Sequence, residues 1–297
     1  MNRDGAEPVS PCVTAVQVRV SSQWLRLREP ADAAARSLAL AQGVARAIAR
    51  RPDARADRAP VVVHDLGSGT GSMGRWLAPL LDGPQHWVLH DRDPDLLHVA
   101  ADGPAPVSAD GSPVTVETRL GDLSALEPGA LAGASLVTAS ALLDMLTLDE
   151  IDHLVHTCVG AGCPALVTLS VTGDVRLSPG DPLDGELRDA FNDHQRRTTG
   201  GRTLLGPDAV RAAARAFVRL GSRVEVQPSP WRLGDGSAAL VREWLDGWVD
   251  AACEQRPELS TAAGAYLARR DDDLDNGRLT VNVPHLDLLA IPPGTPA

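Results

Sequence analysis

Val61-Val-Val-His-Asp65-Leu-Gly67-Ser-Gly69-Thr-Gly71-Ser-Met-Gly74 is the stretch that decides how this chain folds. Three β-branched residues, Val61 to Val63, predict a buried strand, which breaks at Asp65 into alternating glycines. Gly67, Gly69 and Gly71 permit positive φ and a backbone approach that any Cβ would block, so the turn is shaped to lie against a ligand. Met73, Trp76, Leu77 and Leu80 then recur at helical spacing and predict a helix over 71–81.

Working outward, three further segments follow in order. His86-Trp-Val-Leu-His90-Asp91 is an apolar run ending in an acid, with Asp93 as the competing acid. Thr118-Arg-Leu-Gly121-Asp122-Leu123 ends in a Gly-Asp pair, and Ser135-Leu-Val-Thr-Ala-Ser140 runs into Ala-Leu-Leu-Asp144-Met-Leu146. Together the four segments resemble the ordered motifs of the class I S-adenosylmethionine (SAM) dependent methyltransferases. The resemblance implies that Asp65, Gly67, Ser68, Gly69 and Gly71 face the cofactor, and that Asp91, with Arg92 beside it, holds the ribose hydroxyls. It also implies that Asp122 and Leu123 meet the adenine and that Ser140 borders the reaction centre. A rival exists in Gly69-Thr-Gly71-Ser-Met-Gly74, a G-x-G-x-x-G match with Asp91 about 20 residues on, as an NAD-binding fingerprint has. Its register argues against it: Asp65 and Gly67 intervene before the first fingerprint glycine, and Asp65 repels a pyrophosphate but attracts the cationic sulfonium and ammonium of SAM.

Composition narrows the choice further. At 297 residues with 43% apolar content the chain has ample material for a core. Its formal charge is −11 and it has no lysine, so it offers no basic track for nucleic acid and no amine for Schiff-base or pyridoxal-phosphate chemistry. Cys12, Cys158, Cys163 and Cys253 lack paired spacing, and His153 and His156 read as a solvated helix face, so no metal is expected. The amino terminus shows no basic-then-apolar signal pattern, and no apolar run reaches the ~20 residues of a membrane span, so the expected location is the cytoplasm.

The organisation reads as a leader, 1–60, followed by a cofactor domain, 61–297. Within the leader, Ala31 to Arg51 predicts one long helix after Pro30, and Trp24 and Arg26 are candidate substrate-pocket residues. Strands are expected near 61–65, 86–90, 114–119, 135–139, 165–171 and 222–227, with a seventh, antiparallel strand at Arg278 to Val283. Helices are expected near 94–101, 149–158, 183–197 and 207–220. This is an α/β fold, for which the resemblance implies a seven-stranded, mostly parallel sheet of order 3-2-1-4-5-7-6 with helices on both faces. Two insertions depart from that pattern, at about 178–207 after strand five and at about 235–275 between strands six and seven. The second carries Trp244 and Trp248 on one helix face and is expected to cover the pocket or to pair two subunits as a homodimer. The carboxyl half resembles, in sequence character, a bacterial subgroup of these enzymes acting on small molecules, from which no activity carries over.

Methyl transfer needs a positioned acceptor and, for a hydroxyl or ammonium, a group to take its proton. Asp144, an acid among apolar neighbours just past strand four, is the first candidate. His194, whose reference pKa is about 6.5, is the second, and Arg196 is a candidate for an anionic group on the acceptor. No Asp-Pro-Pro-aromatic or Asn-Pro-Pro-aromatic tetrapeptide follows strand four, which with the acidic charge points to a small-molecule acceptor. The alternatives are a catalytically inactive SAM-binding or scaffold protein and an NAD-dependent oxidoreductase.

Overall fold

The computed structural model describes residues 20–50 and 59–293. Cys12, the leader Met1 to Val13, the linker from 51 to 58 and the tail beyond 293 lie outside the described residues. Two helices come first, α1 (Ser22–Ala35) and α2 (Leu38–Ala49). The alternating half then runs β1 (Val61–Leu66), α3 (Ser72–Leu77), β2 (Gln85–Asp91), α4 (Pro94–Asp102), β3 (Val114–Leu120), β4 (Leu136–Ser140), α5 (Leu148–Gly160) and β5 (Ala165–Val171). Next come β6 (Arg176–Ser178), α6 (Asp184–Gln195), a hairpin of β7 (Thr198–Thr199) and β8 (Arg202–Thr203), α7 (Ala209–Arg219), β9 (Arg223–Pro228) and β10 (Trp231–Leu233). The chain continues through α8 (Ala238–Gln255), α9 (Ser260–Asp275), β11 (Thr280–Val283) and β12 (His285–Ile291).

The main sheet has the order β3-β2-β1-β4-β5-β12-β9, which is 3-2-1-4-5-7-6 when its own strands are counted along the chain. Only β12 runs antiparallel to its neighbours, β5 and β9. One face is covered by α2, α3 and α4, whose Leu40, Val44, Met73, Leu77 and Leu97 pack on Val63, Trp87 and Leu289. On the other face α5 and α7 bring Ile151, Val155, Val210 and Phe217 onto Val137, Val167 and Leu288. Local signals fix these helices: Thr147 and Glu150 form a reciprocal capping box at the start of α5, and Asp93 caps α4 ahead of Pro94.

Two expectations need correction. Residues 280–283 are not the seventh strand of the main sheet; they form β11, antiparallel to β10 and β6 in a separate three-stranded sheet. The seventh strand is β12, just beyond Pro284. Burial alternates along β11, as on a sheet with one open face, whereas His285–Ile291 is almost continuously buried, as a central strand must be. Nor is the leader one helix from Ala31. Ser21 caps α1 through Trp24 N–H at 3.0 Å, and α1 runs through the exposed Pro30. The helix stops at Arg36, because Ser37 caps α2 and gives its own N–H to the buried carboxylate of Asp287 at 2.7 Å.

The insertions and α1 together build a second body above the carboxyl ends of the strands. Leu187 of α6, Leu240, Leu245 and Trp248 of α8, Tyr266 of α9, and Trp231, Leu233, Val281 and Val283 of the small sheet share one core. Trp24, Leu27, Ala31 and Ala35 of α1 pack against it. Trp244 stacks on Trp248 with ring centroids 5.3 Å apart, so both indoles of the 235–275 insertion are used inside this cap.

On the face of β1 and β2 opposite Asp65 and Asp91, two buried histidines meet: His64 Nδ1 lies 2.9 Å from His90 Nε2. Burial holds both rings neutral, with pKa values lowered to about 4. Their unfolded value is about 6.5. The unfolded chain therefore binds more protons between those limits, and the pair's contribution is complete above pH ~6.5 and lost as pH falls towards 4. Asp65 and Asp144, raised in the folded chain, act in the opposite direction, so the informative quantity is the difference from His64→Gln. Urea unfolding should show the wild type losing more stability than the variant between pH 7 and pH 4. Parallel pH profiles would refute this account.

Candidate active site

The glycine turn adopts left-handed backbone at Gly67, Gly69 and Gly71, with φ of 66°, 53° and 80°. The room is used: a Cβ on Gly67 would stand 3.0 Å from Leu142 Cδ1, and one on Gly69 2.9 Å from Leu25 Cδ1. Asp91, at the end of β2, holds the turn from below. Its Oδ2 accepts from Gly69 N–H at 2.8 Å and its Oδ1 from Asp93 N–H at 2.9 Å, leaving lone pairs on both oxygens. From above, Glu29 of α1 pairs with Arg75 at 2.7 Å, and Arg75 donates to Thr70 C=O at 2.7 Å.

At the end of β1, Asp65 is fully enclosed. Its Oδ1 accepts from Thr138 at 2.7 Å, whereas its Oδ2 has no partner. Burial pushes this carboxyl up to about 7, against the Thr138 hydrogen bond and the Arg36 charge. Ser68 Oγ is likewise buried and unpartnered. Ser140, at the end of β4, accepts from Arg36 at 3.1 Å and from Thr168 at 3.0 Å. Thr168 is turned there by a bulge in β5. Leu286 and Leu288 of β12 pair with Ser170 and Val167, and Leu169 takes φ of 56° with its N–H on Asp287.

Beyond β4 the backbone passes through a second left-handed residue, Ala141 at φ 49°, and delivers Asp144. Burial lifts the Asp144 carboxyl to about 6, and the charge of Arg28 opposes the rise. Arg28 itself is bound to Asp32 at 3.0 and 3.2 Å and lies over Trp231, 4.9 Å from the ring centroid. Trp231 donates to Asp32 at 3.0 Å and abuts the buried His285. The wall on this side is therefore aromatic and cationic, with Asp144 near it.

Asp65, Gly67, Ser68, Gly69, Gly71, Asp91 and Ser140 converge at the carboxyl ends of β1, β2 and β4, where open α/β sheets bind ligands. Arg92 is exposed on the turn after β2. Asp122 is exposed too and caps the turn Leu123–Ala125 through Ser124 N–H at 2.9 Å. With Gly121, Leu123 and His90 it lines a cavity of about 420 Å³. Trp24 turns towards Trp231, ring centroids 6.5 Å apart, while Arg26 lies exposed on α1. The structure does not bring His194 or Arg196 to this cluster. His194 Nε2 is 3.1 Å from Glu254 of α8 and its Nδ1 3.2 Å from Arg197, and Arg196 pairs with Asp208 at 2.7 Å.

Sequence reading missed Leu25, Arg28, Glu29 and Asp32, which form one face of α1, and Arg36, which caps it. Their three- and four-residue spacing is the signal that would have found them, had the helix been started at Ser22 instead of after Pro30.

No protein-family model matches the chain, and no curated protein matches its sequence. Solved structures of similar shape include a mycolic acid cyclopropane synthase in complex with SAH and CTAB. It is 13% identical with a TM-score of 0.45, over 90% of this chain and 94% of that one. An O-methyltransferase family protein from Burkholderia thailandensis is 15% identical with a TM-score of 0.39, over 83% and 56%. Human N-acetylserotonin methyltransferase in complex with SAM is 16% identical with a TM-score of 0.39, over 67% and 48%.

Proposed function

We propose that this protein is a SAM-dependent methyltransferase of the class I type acting on a small-molecule acceptor. The observation that carries the reading is the buried, unpartnered Oδ2 of Asp65 beside a glycine turn gripped by a second carboxylate, Asp91. Two acids at this turn disfavour a pyrophosphate and favour a ligand that is cationic at one end and carries ribose hydroxyls at the other. SAM fits both. Asp65 would hold its ammonium, the remaining lone pairs of Asp91 its ribose, Ser68 Oγ a further polar atom, and Leu123 and Asp122 would border its adenine. Arg92, exposed after Asp91, has only its position to support a role.

When bound, SAM supplies an electrophilic methyl group for in-line displacement. The chain's own part is to aim the acceptor and manage its proton. Asp144 is placed to accept that proton, because its raised pKa keeps it a usable base near neutrality. Trp24, Trp231 and Arg28 would close the acceptor side against water. His194 and Arg196, held by partners away from the glycine turn, are assigned to the cap surface. None of the described helices is long and apolar enough to cross a membrane. Cys158, Cys163 and Cys253 form no disulfide among the described residues, which supports a cytoplasmic setting.

Calorimetry with SAM, S-adenosylhomocysteine and NAD tests the reading: the first two should bind and NAD should not. Turnover of SAM against a panel of small acceptors separates an enzyme from a binding protein. Because Asp65 is raised to about 7 in the free protein, binding a cation beside it should release a proton below that pH. SAM affinity should accordingly fall as pH drops from 8 to 6, and titrations in buffers of different ionisation heat should differ. A pH-independent affinity would remove Asp65 from the ammonium site.

A further inference from the structure

β3 ends the main sheet, and its outer edge has no strand partner among the described residues. Gln85 N–H donates to Pro113 C=O and Gly121 N–H to Asp91 C=O, both at 3.0 Å, so the odd-numbered residues of this stretch turn their backbone groups towards β2. Val116, Thr118 and Leu120 therefore point their N–H and C=O groups outward, and none of these N–H groups has a backbone partner among the described residues. Sheets normally blunt such an edge with a proline, a lysine or a bulge. Val114-Thr-Val-Glu-Thr-Arg-Leu120 has neither residue, pairs with β2 without a register shift, and is exposed at every position after Val114. On one face Val116 and Leu120 are 37% and 64% exposed, a large share for apolar side chains. On the other face Glu117 and Arg119 stand side by side, 2.7 Å apart.

This pattern is complementary to itself in one register. Two copies related by a two-fold axis normal to the sheet run antiparallel, and outward residues must then meet outward residues. An axis at Thr118 sets Thr118 opposite the partner's Thr118, Val116 opposite the partner's Leu120 and Leu120 opposite the partner's Val116, each pair exchanging both N–H···O=C bonds. Between them Glu117 faces the partner's Arg119, and Arg119 the partner's Glu117, at the closer, non-hydrogen-bonded positions, so four charges alternate in sign. An axis at Glu117 or at Arg119 opposes like charges instead, and one at Val116 sets Glu117 against Thr115 and Arg119 against Pro113, leaving both charges without a cross-strand partner. We propose that β3 is the seam of a homodimer, in which two copies of this chain pair about Thr118 and join their sheets into one. The 235–275 insertion, whose indoles are used inside the cap, is not the dimer surface. Arg119 and Leu120 also line the cavity that holds Asp122, so the second copy's strand runs along its border. Nothing in this pairing depends on what the glycine turn binds.

Sedimentation velocity of the full chain over a micromolar concentration series should show a reversible dimer. Glu117→Arg sets arginine against arginine at both charged positions, and Arg119→Glu sets glutamate against glutamate, so each variant alone should self-associate about tenfold or more weakly than the wild type. An equimolar mixture of the two should regain the dimer, because every opposed pair then carries opposite charges. Thr118→Pro removes an outward N–H that an edge strand can spare, and should give a monomer with the wild-type circular dichroism and melting temperature. If that variant unfolds, the charge exchange decides alone. A wild type that is monomeric at every concentration would overturn the proposal, whether the edge stays bare or is covered by another segment of this chain or by a different protein. A dimer that survives both charge variants would overturn it and put the interface elsewhere. A mixture that associates no better than its components would overturn the register at Thr118, and the proposal with it.

Discussion

Asp144→Asn is expected to lower turnover about 10²–10⁴-fold, the usual worth of a general base, while leaving SAM affinity unchanged. Asparagine keeps the shape and some of the hydrogen bonding of the carboxyl but cannot take a proton. The proposed cofactor contacts, in the glycine turn, Asp65 and Asp91, lie on other elements. Desolvation sets the raised pKa of about 6, with Arg28 moderating it, so the carboxylate form that the proposed base requires is lost as pH falls below about 6. The wild-type rate should therefore climb through pH 6 and level off above it. His194→Ala is the matched comparison; held by Glu254 and Arg197 between α6 and α8, it should barely change the rate. Full turnover in Asp144→Asn together with loss of turnover in His194→Ala would move the base to the cap.

Asp91→Ala is expected to weaken SAM binding by at least about a hundredfold. One carboxylate holds two backbone N–H groups, at Gly69 and Asp93, and in the proposed complex the ribose as well. Each hydrogen bond to a charged group is worth about 1.5–3 kcal/mol, so losing the ribose contact and the preorganised turn together exceeds a single contact's effect. Asp91→Asn keeps one acceptor oxygen and should fall between the two. Calorimetry measures the affinity, and a thermal scan of the ligand-free protein should show Asp91→Ala melting below wild type. SAM affinity equal to wild type in Asp91→Ala would end the assignment of β2 as the ribose strand.

How far the fold could be read from the residues follows from what each signal depends on. The strand run at Val61 and the glycines after it are local chemistry, and the structure keeps them as β1 and its turn. Trp244 and Trp248, four apart, marked a helix face that had to be covered: Trp248 lies in the cap core and the half-buried Trp244 packs against it. The seventh strand was misplaced because 278–283 and 285–291 both suit a strand, and what separates them is whether one face or two are buried, a property of neighbours distant in sequence. The leader was misread because Pro30 normally marks a helix boundary, yet here it sits on an exposed face where its missing N–H is tolerated. That error hid Arg28 and Arg36, which no motif flags.

The cap is assembled from segments at opposite ends of the described chain, and this sets a timetable for synthesis. Trp231 bonds to Asp32 across 199 positions. At about 5–20 residues per second a ribosome takes roughly 10–40 s to cover that interval, during which the apolar face of α1 has no cap core to join. The wait is longer for the sheet, because β12, made after every other strand of that sheet, is inserted between β5 and β9. Until residue 291 has emerged, β5 presents an unpaired edge flanked by uncovered apolar surface, the kind of intermediate that aggregates. Production of the folded protein should therefore depend on translation speed and chaperone supply, and slowing elongation after β5 should lower the soluble yield.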